Sequence, residues 1–256
     1  MTRIERSAAN RLRTVRWIES ALQLAQCSPA AFSRRFLSPS VQHSRLIYKW
    51  LDGRSTVRAA TVALIARRLS GSELAYESAL FTLLQPRRLS RAAVLKMMNC
   101  YELDPDATPA EPRWQLPPTV LAGDPESQFT METDIGAEHR RRNDIHGFVA
   151  TLALARYSEA RAQVLENMMY CAGLYRCLSA LERSDAFGGH NELLRDAVEA
   201  VTPREWWPWP GFEVDWDIMD LRAAGKSDTD PVVFWNVKLP RAVASRQRSI
   251  QTTGFK

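Results

Sequence analysis

The chain has 256 residues, 45% of them hydrophobic and 25% charged, a balance that lets a soluble protein bury a sizeable core in one large domain or two small ones. No apolar run approaches the roughly 18 residues of a transmembrane helix, and the charged opening Met1-Thr2-Arg3-Ile4-Glu5-Arg6 lacks the apolar stretch of a secretory signal. A cytoplasmic protein without a membrane partner is expected.

The net charge of +5 hides an asymmetry. Residues 1–70 hold thirteen Arg or Lys against Glu5, Glu19 and Asp52, a net charge of +10, so the remainder carries −5. A basic end on a mildly acidic body is the pattern of a nucleic-acid-binding module joined to a separate domain.

In chain order, Val15, Ile18, Leu22 and Ala25 predict an amphipathic helix over residues 13–25. Ser28 as N-cap and Pro29 at the first helical position open a short helix over 30–37. Ser38-Pro39-Ser40 breaks the chain, and residues 41–51 read as a third helix. Asp52-Gly53-Arg54-Ser55 is a turn with Gly at a helix end. A fourth helix over 57–69 offers Val57, Thr61, Leu64, Ile65 and Leu69 to a core. Ser72 and Ser90 cap two further helices, over 73–84 and 91–101.

Pro105, Pro109, Pro112, Pro117, Pro118 and Pro125 then mark a linker or extended arm. Helical patterning returns over 146–181, as one long helix or two stacked ones, and again over 191–201. Residues 231–237 are the best strand candidate, without an evident partner. The tail from Arg241 carries Arg246, Arg248 and Lys256 and no acid.

Residues 28–69 have the layout of a helix-turn-helix: a short helix, a break, a second helix, and a Gly-containing turn before another helix. On the second helix Ile47 and Trp50 share a face, which docks on the domain, while Gln42, His43, Arg45, Tyr48 and Lys49 point to the other side. Gln and Arg can read base edges in a bidentate fashion, whereas Lys and Tyr suit phosphates. Base contact is therefore assigned to Gln42, His43 and Arg45, with Ser44 beside them, and phosphate contact to Tyr48, Lys49 and Arg54. Arg34 and Arg35 hold backbone from the preceding helix.

The same residues resemble a known family. Ser44-Arg45-Leu46-Ile47-Tyr48-Lys49-Trp50-Leu51-Asp52-Gly53-Arg54-Ser55 looks like the second half of phage-repressor and Cro-like helix-turn-helix domains. Ile47, Trp50, Gly53 and Arg54 match the end of that family's recognition helix, and Val62-Ala63-Leu64-Ile65-Ala66-Arg67-Arg68-Leu69 matches its packing helix. The likeness covers about residues 13–69. It departs at the turn, where Ser38-Pro39-Ser40-Val41 replaces a Gly and a small apolar residue. It implies a repressor-like protein of bacterial or phage type that binds double-stranded DNA.

Other features have plainer readings. Trp206-Trp207-Pro208-Trp209-Pro210-Gly211-Phe212 could anchor a partner, but prolines between tryptophans suit a loop folded onto its own core. His139-Arg140-Arg141-Arg142-Asn143-Asp144 is a solvated run with caps for the next helix. Glu213, Asp215, Asp217 and Asp220 lack the lysine expected of a carboxylate nuclease site. Cys27, Cys100, Cys171 and Cys177 contain no Cys-x-x-Cys pair, and no histidine pair has the i, i+4 spacing of a metal site.

The fold expected is mainly α: a helix-turn-helix domain with extra helices over 1–101, a Pro-rich linker or arm over 102–144, and a helical C-terminal domain over 145–256. The function expected is sequence-specific binding of double-stranded DNA in transcription regulation. The alternative is a DNA- or protein-binding subunit of a larger mobile-element or defence complex. No enzyme activity, cofactor or metal is expected. A homodimer or a protein partner would engage the C-terminal domain.

Overall fold

A computed structural model describes residues 7–39, 45–98, 145–183, 187, 189–207 and 211–234. These are mainly helical, with one two-stranded sheet among them. The linker expected over 102–144 and the basic tail lie outside the described residues.

Helix α1 (Ala8–Ala25) starts five residues earlier than its apolar spacing suggests. Ser7 caps it, its hydroxyl accepting from the Asn10 N–H at 3.3 Å, and Gln26 ends it in the left-handed region. The extension adds Ala9 and Leu12 to the buried stripe that continues through Val15, Ile18 and Ala21. Helix α2 (Pro29–Phe36) opens as its Ser28-Pro29 pair dictates, with Ser28 accepting from the Ala31 N–H. Helix α3 (Leu46–Leu51) and helix α4 (Ala59–Ala66) follow. On α4 Val62 and Ile65 are buried, but Leu64, expected to face a core, is 56% exposed. A helix turns about 100° per residue, so Leu64 cannot share the inward face held by Val62 and Ile65.

Residues 73–84, expected as one helix, form α5 (Leu74–Glu77) and α6 (Ala79–Leu83). Ser78 adopts extended backbone at φ −51°, ψ 133° between them. The break lets Tyr76 pack with one core while Leu80, Phe81 and Leu83 enter another. Helix α7 (Arg91–Met98) precedes the undescribed stretch.

The apolar segment beyond it is two helices, α8 (Ile145–Ala160) and α9 (Val164–Arg183), folded back on each other. Ala162 at φ +56° makes the reversal, closed by the Gln163 N–H donating to the Ser158 carbonyl at 2.9 Å. From Phe148 to Glu159 every residue of α8 is buried. Arg156 and Glu159 there pair at 2.9 Å, and Arg156 also donates to the Arg87 carbonyl, tying α8 to the loop before α7. Burial raises the Glu159 carboxyl above the usual range, an effect opposed by Arg156 and Arg88.

Helix α10 (Asn191–Glu199) buries Leu193, Leu194, Ala197 and Val198. The tryptophan segment continues as a 3-10 turn (Arg204–Trp206) and a strand, β1 (Phe212–Val214). Trp207 is buried, its indole N–H donating to Asn167 at 3.0 Å, and Phe212 is buried too, so these two rings fold onto the core, while residues 208–210 lie outside the described residues. The partner missing from the strand forecast is β1: it pairs antiparallel with β2 (Val232–Phe234), Phe212 opposite Phe234. Three residues are too few for alternation to be read. The acidic segment between the strands is helix α11 (Trp216–Ala223), capped by Asp215, which accepts from the Ile218 N–H.

Two cores result. The larger combines α6 to α11 with Ala9 and Leu12 from the start of α1. The smaller gathers Trp17, Ile18 and Ala21 from the rest of α1 with Phe32, Phe36, Ile47, Trp50, Val57, Val62 and Ile65. Helix α1 thus runs through both, and the larger core draws on residues from both sides of 99–144.

Candidate nucleic-acid interface

Helix α3 is short and amphipathic, and its inward face is Ile47 and Trp50. The Trp50 ring meets Trp17 of α1 edge to face, centroids 5.5 Å apart at 72°, an arrangement that adds about 0.5–1.5 kcal/mol beyond the area buried. The helix ends in a Schellman turn: the Arg54 N–H donates to the Lys49 carbonyl at 2.9 Å and the Gly53 N–H to the Trp50 carbonyl at 3.1 Å. Gly53 supplies the left-handed residue at φ +61°. Its carbonyl accepts from Arg11 of α1 at 2.5 Å, and the Val57 N–H donates to Thr14 of α1 at 3.1 Å. The helix and its exit turn are thereby fixed on α1.

Arg45, Tyr48 and Lys49 are exposed, and no acidic residue stands between Arg45 and Leu51. Arg45 differs from its forecast. The helix expected over 41–51 begins, in its described part, only at Leu46, because Arg45 sits in the left-handed region at φ +51°, ψ 27°. That conformation cannot continue a right-handed helix, and Arg45 is the flanking residue rather than part of the helical face. Gln42, His43 and Ser44 lie outside the described residues. Arg54 is exposed and pairs with Asp52 at 3.6 Å.

Arg34 and Arg35 occupy the exposed last turn of α2, where positive charge suits the helix dipole. Arg35 stacks over the Phe36 ring at 5.1 Å, and Arg68 approaches the same ring at 5.5 Å. The end of α2 therefore joins the end of α4 in one basic cluster. Arg58, Arg67 and Arg68 are exposed around α4, which itself carries no charged residue. Sequence reading counted these three as charge without placing them at the site. The signal was present in their position immediately flanking an uncharged helix.

Other cations in the basic segment serve the fold. Arg13 donates to the Tyr76 carbonyl and lies 3.8 Å from that ring's centroid; burial lowers its pKa. Arg16 pairs with Glu19. With Arg11 on the Gly53 carbonyl, two of the thirteen charges are held on backbone carbonyls of the fold and a third is paired.

Among the described residues no group of three or more His, Cys, Asp or Glu could hold a metal ion. Glu213, Asp215, Asp217 and Asp220 are dispersed: Asp215 caps α11, and Asp220 pairs with Arg195. Cys171 is wholly buried, and burial pushes its thiol up to about 12. A shallow cavity of about 300 Å³ is lined by Glu192, Arg195, Asp196, Glu199 and Trp216. Arg195 there is engaged by Glu182 and Asp220, and Glu199 accepts from Tyr175 and Arg204. No helix among the described residues is long and apolar enough to cross a membrane.

No family model, curated protein or solved structure matches this chain. Its functional reading rests on its own residues.

Proposed function

We propose that this chain is a sequence-specific double-stranded DNA-binding protein that regulates transcription, with α3 set toward the duplex. The observation that carries the reading is the two-sidedness of α3. Its inward face is anchored by Ile47 and Trp50 against α1, its outward side offers Tyr48 and Lys49, and the exposed Arg45 flanks its start, with no carboxylate among them. Flanking this helix, the Arg35–Phe36–Arg68 cluster and Arg34, Arg54, Arg58 and Arg67 supply the charge that duplex phosphates attract.

The test is selection of bound sequences from random duplex DNA by the purified chain, followed by titration of a selected and a random duplex. An enriched motif bound at least 10³-fold more tightly than random DNA, the usual range for specific binders, supports the reading. Equal affinity for all duplexes, or none, refutes it.

A further inference from the structure

The turn that ends α3 is held from the far side by the C-terminal body. A Cβ placed on Gly53 would lie 2.7 Å from Leu193 Cδ1 of α10 and 3.4 Å from Val15 Cγ2 of α1. The Leu193 side chain of α10 therefore packs beside the Gly53 turn, and a Cβ at this position would have to displace its tip. Opposite contacts fix α10 itself. Arg195 makes two 2.7 Å hydrogen bonds to the Glu182 carboxylate of α9, whose side chain is fully buried, and one of 2.6 Å to Asp220 of α11. A continuous chain of contacts thus runs from α9 and α11, through α10, to the exit of the proposed DNA-facing helix.

We propose that Leu193 is a positioning residue for DNA recognition: α10 sets the seating of α3 through the Gly53 turn, so the C-terminal body governs how well the helix reads a sequence. This rests on the DNA-binding reading above. The physical basis is close packing: the buried Leu193 side chain fills the space beside the Gly53 turn, so a displacement of α10 changes the support under the exit of α3, and base readout depends on bidentate geometry that a shift of α3 spoils. Phosphate attraction tolerates the shift, because it depends on charge more than on angle.

The experiment compares four full-length variants, Leu193→Val, Gly53→Ala, the double variant and Lys49→Ala, on a selected and a random duplex. Melting and circular dichroism confirm folding. Leu193→Val removes the contacting Cδ1 while leaving most of the packing. The expected result is a threefold or greater fall in the selected-to-random affinity ratio, with an unchanged salt slope. Gly53→Ala should lower the ratio about tenfold, and the double variant should recover part of that loss, because the shorter side chain on α10 leaves space for the new Cβ. A simple loss of stability would change melting and leave the ratio alone.

If Lys49→Ala weakens binding while folded Leu193→Val keeps the parental ratio, the coupling is refuted and the DNA reading stands. If Lys49→Ala also leaves binding unchanged, the DNA reading itself falls. Should Gly53→Ala fail to fold, Leu193→Val alone decides.

Discussion

At the scale of single residues, the roles on α3 separate by what each side chain touches. Trp50 is buried against Trp17, so Trp50→Ala should destabilise the protein by roughly 3–5 kcal/mol, seen as a large drop in melting temperature. Lys49 is exposed on the opposite side, and its substitution should leave melting unchanged. Lys49→Ala is expected to weaken selected and random duplexes alike and to reduce the log–log salt slope by about one unit. Arg45→Ala should cost roughly 1–3 kcal/mol on the preferred site and much less on random DNA. Its left-handed backbone adds a second measurement: Arg45→Gly relieves strain of about 1–2 kcal/mol and should raise stability while losing the same readout. Equal losses on both duplexes for Arg45→Ala would assign it to phosphate instead.

At the scale of elements, the helices with a cap and a stripe were legible, and the interruptions were not. Ser28-Pro29 and Gly53 carry local backbone rules, and the structure follows them. Ser78 ends one short helix and opens the next, and Arg45 is left-handed although no glycine or asparagine marks the position. The β1–β2 pair is held by contacts distant in the chain. Asp230 receives Arg176 through its Nε at 2.9 and 3.1 Å and the Val232 N–H at 3.1 Å, anchoring the start of β2. Burial alone would raise this carboxyl, but those hydrogen bonds hold it below its ordinary value. A depressed folded-state pKa contributes stability above the unfolded value of about 3.9 and loses it as the pH falls through the folded one. Asp230→Asn should therefore lower the melting temperature at neutral pH, with the difference shrinking below about pH 4. A constant difference across that range would deny the carboxylate this role.

At the scale of the whole molecule, the two cores share α1, so the basic end is not insulated from the body behind it. Truncation after Met98 would expose Ala9, Leu12, Leu80, Phe81, Leu83 and Leu84 together. The fragment is expected to melt far below the full chain or without a cooperative transition, and thermal circular dichroism would show it. Binding by the intact chain should be strongly salt-dependent. Neutralising six phosphates implies a log–log slope of about −5, and a salt-independent affinity would mean that the exposed arginines do not face a duplex.

The sequence by itself determined the helical class, the Ser28-Pro29 start of α2, the glycine that ends α3, the inward pair Ile47 and Trp50, and the excess of positive charge near the start. Each of these follows from rules that act within a few residues: helical period, hydroxyl capping, the freedom of glycine, and charge count. Tertiary structure alone decided which cations point outward. Arg11 and Arg13 look like Arg34 and Arg35 in the sequence, yet they bind the Gly53 and Tyr76 carbonyls. It also decided that Leu193, far away in the chain, rests on the Gly53 turn. Contacts of that separation arise from the closing of a core around α1, and no local pattern records them.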